Sequence, residues 1–363
     1  MRPPPVSAPL RVSDFDFDLP ADLVAQEPPS LRGTSRLMRL ERPSGAVTHG
    51  AFSDLPALLA PGDLLVLNDT RVFPARLLGR RLPGGGAVEC LLIARLDGNA
   101  DDGASEMWTA LLSPGPRVRP GTRMVFEGDG EPLHGEVCER GEHGRVVRLF
   151  TGDGRTVRAA VHRLGHVPLP PYIRRADVPS DRERYQTVYG RHEGSIAAPT
   201  AGLHFTPDLL AAIDRAGIER TSITLHVGYG TFQPVRVDFV SDHRMAREEY
   251  EVSPEAAAAL TRALSAGRRV VAVGTTTTRT LESLEVGPAG EVAARRGATE
   301  IFIAPGHRFR IVGGLVTNFH VPRSSLLMLV SAFAGIEQVR RAYREAVRSR
   351  YRFYSYGDAM AIL

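Results

Sequence analysis

From Pro207 onward the chain alternates regularly between helical and extended texture, and that alternation restricts the folds open to it. The spacing predicts a helix over 207–216, with proline in its first turn and Gly217 just past its end, then a strand over 219–227. A helix over 254–266 follows, capped by Ser253 and stopped at Gly267. A strand over 269–273, a helix over 276–284, a strand over 300–303 and a strand pair around 309–316 come next. Helices over 324–333 and 336–348 complete the series. Strands alternating with helices imply an α/β domain, either an open, mostly parallel sheet or a barrel-like variant.

The first half has a different texture. A short helix after Pro20, a strand over 36–41 and the buried-strand run Leu64-Leu65-Val66-Leu67 fit the same α/β domain. Between 77 and 157, short apolar runs alternate with Gly, Pro and Asp, with no helical period. Five or six strands at that spacing read as a small antiparallel β-barrel inserted into the larger domain. The expected division is therefore a disordered tail over 1–12, a main α/β domain from 13–76 and 158–363, and the barrel over 77–157. The Pro-rich start has no apolar stretch of the kind that directs secretion, and no run approaches the ~20 residues of a membrane span, so a cytoplasmic chain without membrane contact is expected.

Composition removes some chemistries. All 45 basic residues are arginines. A chain without lysine has no phosphate-binding loop of the Walker type and no Schiff-base lysine. Its net charge of +4 weakly favours an anionic partner such as RNA, although a mixed, solvated surface produces the same number. Cys90 and Cys138 are isolated and show no metal-ligand spacing.

Polar residues gather where strands end. Asn68-Asp69-Thr70-Arg71, His226-Val227-Gly228, Gly274-Thr275-Thr276 and Thr317-Asn318-Phe319-His320 each follow an apolar run. Parallel sheets bind ligands beyond such ends. A fifth stretch, 193–206, combines Gly194, Gly202 and small residues with His204, which suits either a pocket wall or a structural loop. The Gly-Thr run opens a helix and suits an anion, or simply caps it. Gln26, Arg32, Ser35 and Arg36 form a polar cluster able to hold a carboxylate or phosphate, or a solvated loop. His204, His226 and His320 suit proton transfer, with Asp69 as a carboxylate alternative. A three-histidine metal site lacks any paired spacing, and none is expected.

These motifs, with Pro199-Thr200-Ala201-Gly202-Leu203-His204-Phe205, Gly230-Thr231-Phe232, Arg279-Thr280-Leu281-Glu282 and Tyr351-Arg352-Phe353 before Tyr356-Gly357-Asp358-Ala359-Met360, resemble the S-adenosylmethionine:tRNA ribosyltransferase-isomerase family. The resemblance runs from about Asp14 to Leu363. Departures are His243-Arg244-Met245-Ala246 where the family carries a second histidine, Tyr229 and His307 where other residues are common, and Arg323-Ser324-Ser325 for Lys-Ser-Thr.

The resemblance implies transfer of the ribosyl group of S-adenosylmethionine to 7-aminomethyl-7-deazaguanine at the wobble position of a tRNA. Epoxyqueuosine, adenine and methionine are the products, with no metal or recycled cofactor and a single chain at work. It implies substrate binding by Arg71, Thr200, Gly202, Gly228, Thr275, Thr276, Arg279, Glu282, Asn318, Arg352 and Asp358. A basic groove for the tRNA, lined by Arg174, Arg175, Arg182 and Arg184, is expected between the domains. A methyltransferase lacks support from any glycine-rich nucleotide turn. A non-catalytic RNA binder leaves the polar strand ends unexplained.

Overall fold

The computed structural model describes residues 9–96, 103–141, 144–152, 154–228, 230 and 235–363. Its centre is the strand Leu64–Asn68, in which every residue is buried. Leu64 and Val66 face one apolar core, Leu65 and Leu67 the other. A strand with both faces covered needs this unbroken apolar run. The neighbouring strand Val270–Val273 divides its residues between the same two cores.

Nine strands form one open sheet. Their order is Arg295–Thr299, Glu248–Val252, Glu219–Leu225, Leu64–Asn68, Val270–Val273, Val312–Asn318, Ala359–Ile362, Arg36–Leu40 and Val47–Ala51. The four strands from Glu219–Leu225 to Val312–Asn318 run parallel, so their carboxyl ends share one edge. Only four of the eight pairings are parallel, so the sheet is mixed rather than mostly parallel. The antiparallel members carry weak sequence signals. Val47–Ala51 is largely exposed, and Ala359–Ile362 is four residues long.

The second body is a closed barrel of six antiparallel strands between Arg76 and Thr151. Cys90, Leu92, Phe126, Leu133, Val147 and Leu149 fill it. The helix Val157–Leu164, capped by Thr156, contributes Val157, Ala160 and Val161 to that core. The fold class is thus α/β with a small antiparallel barrel.

Other expectations shift. The strand expected over 300–303 is replaced by Arg295–Thr299, because Ile301 and Phe302 turn into the main core instead of pairing. The pair expected around 309–316 is one strand, Val312–Asn318. Of the expected tail, residues 1–8 lie outside the described residues. The chain is already packed at Arg11, which bridges to Phe239, and at Val12, which is buried. Among the described residues, no helix is long and apolar enough to cross a membrane.

Candidate functional site

The segment 193–206 touches every core of the molecule. Ile196 packs into the barrel core, Ala197 and Ala201 into the cores on opposite sheet faces, and Ala198 into a cluster with Ile173, Tyr185 and Tyr356. Buried Ser195 secures its start: Oγ accepts from the Val227 amide at 2.7 Å and donates to the Ala197 carbonyl at 2.8 Å. Gly202 is required by close approach, since a Cβ there runs into the Tyr189 hydroxyl. The segment is therefore a junction first and a pocket wall second.

Beyond the carboxyl ends of the parallel strands lies a cavity of about 450 Å³. That size suits a nucleoside-sized molecule. One wall is Ala197, Ala198, Pro199 and Thr200; another is Gly274, Thr275 and Thr276; a third is Thr317, Asn318, Phe319 and His320. Gly274 takes φ +93°, which lets the chain turn from strand directly into the helix Thr275–Glu282. Having no side chain, Gly274 leaves that helix without a side-chain cap, so its positive end sits at the cavity wall.

The histidines separate. His320 lines the cavity, with Nε2 2.8 Å from Thr317 Oγ1. Burial pushes its pKa down to about 3, so the ring is neutral. His204 lies one layer behind, with Nε2 3.0 Å from Asn318 Nδ2 and Nδ1 2.8 Å from Ser35 Oγ. Burial lowers its pKa to about 4. His226 is not in the cavity lining: Nδ1 is 2.8 Å from Thr70 Oγ1, and its pKa is lowered, chiefly by burial. Asp69, also outside the lining, accepts from Thr224 Oγ1 at 2.7 Å. Among the described residues, no group of three or more His, Cys, Asp or Glu side chains is arranged to hold a metal.

A family model described as "Queuosine biosynthesis protein" matches residues 12–362. The chain belongs to this family. It is 55% identical over 353 residues to an S-adenosylmethionine:tRNA ribosyltransferase-isomerase of Anaeromyxobacter sp. (strain Fw109-5), covering 97% of this chain and 99% of that one. It is 53% identical over 354 residues to the protein of the same name from Symbiobacterium thermophilum, covering 98% and 100%. A crystal structure of the S-adenosylmethionine tRNA ribosyltransferase of Thermotoga maritima matches with a TM-score of 0.54 at 39% identity, over 97% of this chain and 100% of that one.

Several family-motif residues are committed to the fold instead of the cavity. Arg279 is 2% exposed and pairs with Glu248, whose other oxygen accepts from the Gly228 amide at 3.1 Å. Glu282, 1% exposed, accepts the backbone N–H groups of Arg310, Ile311 and Val312. Asp358 accepts from the amides of Arg36 and Arg352, and Arg352 Nη2 lies 3.8 Å from it. These residues hold loops in register; the sequence pattern shows the residue type but not its direction. Arg71 is exposed and lines a separate hollow with His162, Arg182 and Glu193. Thr200, Thr275, Thr276 and Asn318 do line the main cavity, whereas Gly202 and Gly228 do not.

The arginine clusters are likewise engaged. Arg32 donates to the carbonyls of Glu183, Gln186 and Leu203, and Gln26 to that of Tyr172. Arg36 reaches Asp358. Arg175 grips Asp181 through two hydrogen bonds, Arg182 donates to the carbonyls of His162 and Gly165, and Arg184 to those of Pro29 and Ser30. Arg174 is exposed. Tyr229, Thr231 and Phe232 of the family motif lie outside the described residues. The cavity also contains Tyr172, Thr317, Ser324, Tyr354 and Ser355. Of these, Thr317 belongs to the strand-end motif 317–320, and Ser324 caps the helix Ser325–Ala334.

Proposed function

We propose that this chain transfers and isomerises the ribosyl group of S-adenosylmethionine onto 7-aminomethyl-7-deazaguanine at the wobble position of a tRNA, giving epoxyqueuosine-tRNA, adenine and methionine. Membership of the family supports the reaction. The observation that carries the site is the strand-end cavity, whose wall combines a helix N-terminus with the neutral His320.

The sulfonium acidifies the adjacent ribose 5′ carbon, and a base must take a proton there. His320 suits that role, because it lines the cavity and only one of its ring nitrogens has a partner among the described residues. Loss of adenine, attack of the tRNA amine on the sugar and departure of methionine complete the exchange without an added oxidant or reductant. The N-terminus at Thr275 and Thr276 favours an anionic group such as the methionine carboxylate. S-adenosylmethionine is consumed as a substrate. The reading includes a cytoplasmic monomer whose cavity admits a splayed-out anticodon base.

One incubation tests the reading. With S-adenosylmethionine and tRNA carrying the aminomethyl base, adenine is released in step with tRNA modification. Formation of S-adenosylhomocysteine marks a methyltransferase instead, and no turnover with retained tRNA affinity marks a binding protein.

A further inference from the structure

Asn318 ends the strand Val312–Asn318, is 2% exposed and lines the cavity. Its amide nitrogen carries two hydrogens, and both are placed. Nδ2 lies 3.1 Å from the carbonyl oxygen of Tyr354 and 3.0 Å from His204 Nε2. A backbone carbonyl only accepts, so the atom facing Tyr354 must be the nitrogen, and this fixes the orientation of the amide. The ring nitrogen that receives the second hydrogen must be the unprotonated one. His204 therefore carries its proton on Nδ1, from which it donates to Ser35 Oγ at 2.8 Å.

With both hydrogens used, Asn318 Oδ1 is left buried and without a partner among the described residues. A buried carbonyl lacking a donor is unfavourable and calls for an explanation. This one belongs to a residue in the wall of the cavity. His204 offers nothing comparable. It does not line the cavity, is 3% exposed, and has both nitrogens engaged behind Asn318, with the Phe52 ring 4.8 Å away, centroid to centroid.

We propose that Asn318 Oδ1 accepts a hydrogen bond from the nucleoside of S-adenosylmethionine, through the adenine amine or a ribose hydroxyl, and that His204 is a positioning residue which holds the amide from behind. This rests on the reading of the cavity given above and deepens it. The neutral state of His204 fits: protonated Nε2 turns an N–H against Asn318 Nδ2 and breaks the arrangement. Burial keeps that from happening near neutral pH.

The test compares ligands and variants by calorimetry, with S-adenosylhomocysteine as the probe. Its analogues are S-inosylhomocysteine, which lacks the amine, and the 2′-deoxy and 3′-deoxy forms. One of these analogues binds wild type about tenfold more weakly than the parent, and the gap closes in Asn318→Leu. Closure with the inosyl analogue assigns the amine; closure with a deoxy analogue assigns that hydroxyl. Equal gaps in wild type and variant for all three overturn the assignment. Asn318→Ser serves as the second variant should Asn318→Leu fail to fold.

His204→Gln tests the positioning role, because its amide oxygen can still accept from Asn318. It keeps adenine release within about tenfold of wild type, with an unchanged pH profile for kcat. A fall of about a thousandfold at unchanged ligand affinity makes His204 an acid or base and overturns the role. Absence of adenine release by wild type counts against the proposed reaction, while the ligand comparison still reports on Asn318.

Discussion

Thr317 Oγ1 lies 2.8 Å from His320 Nε2, so the threonine holds one nitrogen of the histidine that, among the described residues, alone lines the strand-end cavity. The two residues sit on either side of Asn318-Phe319, and the main-chain amide of His320 is itself held, donating to the Tyr343 hydroxyl at 3.0 Å. The ring is therefore aimed by its own strand end and by one buried tyrosine. His320→Gln should lower kcat for adenine release by about a hundredfold or more, with a smaller effect on S-adenosylmethionine affinity. Single-turnover measurement of adenine checks this; turnover at the wild-type rate removes His320 from the chemistry.

Gly202 and Tyr189 form a coupled pair. The Tyr189 hydroxyl is buried, has no partner among the described residues, and occupies the space a Cβ on Gly202 needs. Gly202→Ala should destabilise the protein by about 1–3 kcal/mol, the usual range for overpacking. Tyr189→Phe removes an unsatisfied hydroxyl and should be neutral or stabilising. The double variant should recover much of the loss, read as a coupling energy from urea midpoints. Strict additivity of the two substitutions counts against the contact.

Acid should loosen the fold through its neutral histidines. The pKa of His204 is held down at about 4 and that of His320 at about 3, both chiefly by burial. An unfolded imidazole titrates near ~6.5, so the unfolded chain takes up these protons first as pH falls. The contribution is fully present above about pH 6.5 and is lost as pH drops toward the folded values. Urea midpoints between pH 7 and 5 should fall in wild type. In His204→Leu the slope should be shallower by up to about 1.4 kcal/mol per pH unit, the value for one proton. Identical slopes would falsify the assignment of a depressed pKa to His204.

Much is legible in the sequence alone. The unbroken apolar run at 64–67 announced a strand buried on both faces, and the Gly- and Pro-punctuated stretch from Leu77 announced an all-β module. From Pro207 onward helix limits were readable within a residue or two, where Thr206, Ser253 and Ser324 cap helices with their own side chains, whereas the helix Val157–Leu164 was not expected. The ordered motifs were enough to suggest the family.

Direction was not legible. Arg279 lies three residues past Thr276 on the same helix, yet Thr276 meets the cavity and Arg279 turns inward to Glu248, on a strand the pattern did not predict. Ser35, His204 and Asn318 meet only because the sheet and the 193–206 junction bring residues 169 and 114 positions apart within hydrogen-bond reach. Local sequence determines element type, because backbone propensity and capping act over a few residues. Which polar side chain faces the ligand and which one holds the protein together is decided by register and long-range packing. Those depend on contacts that exist only once the whole chain is folded.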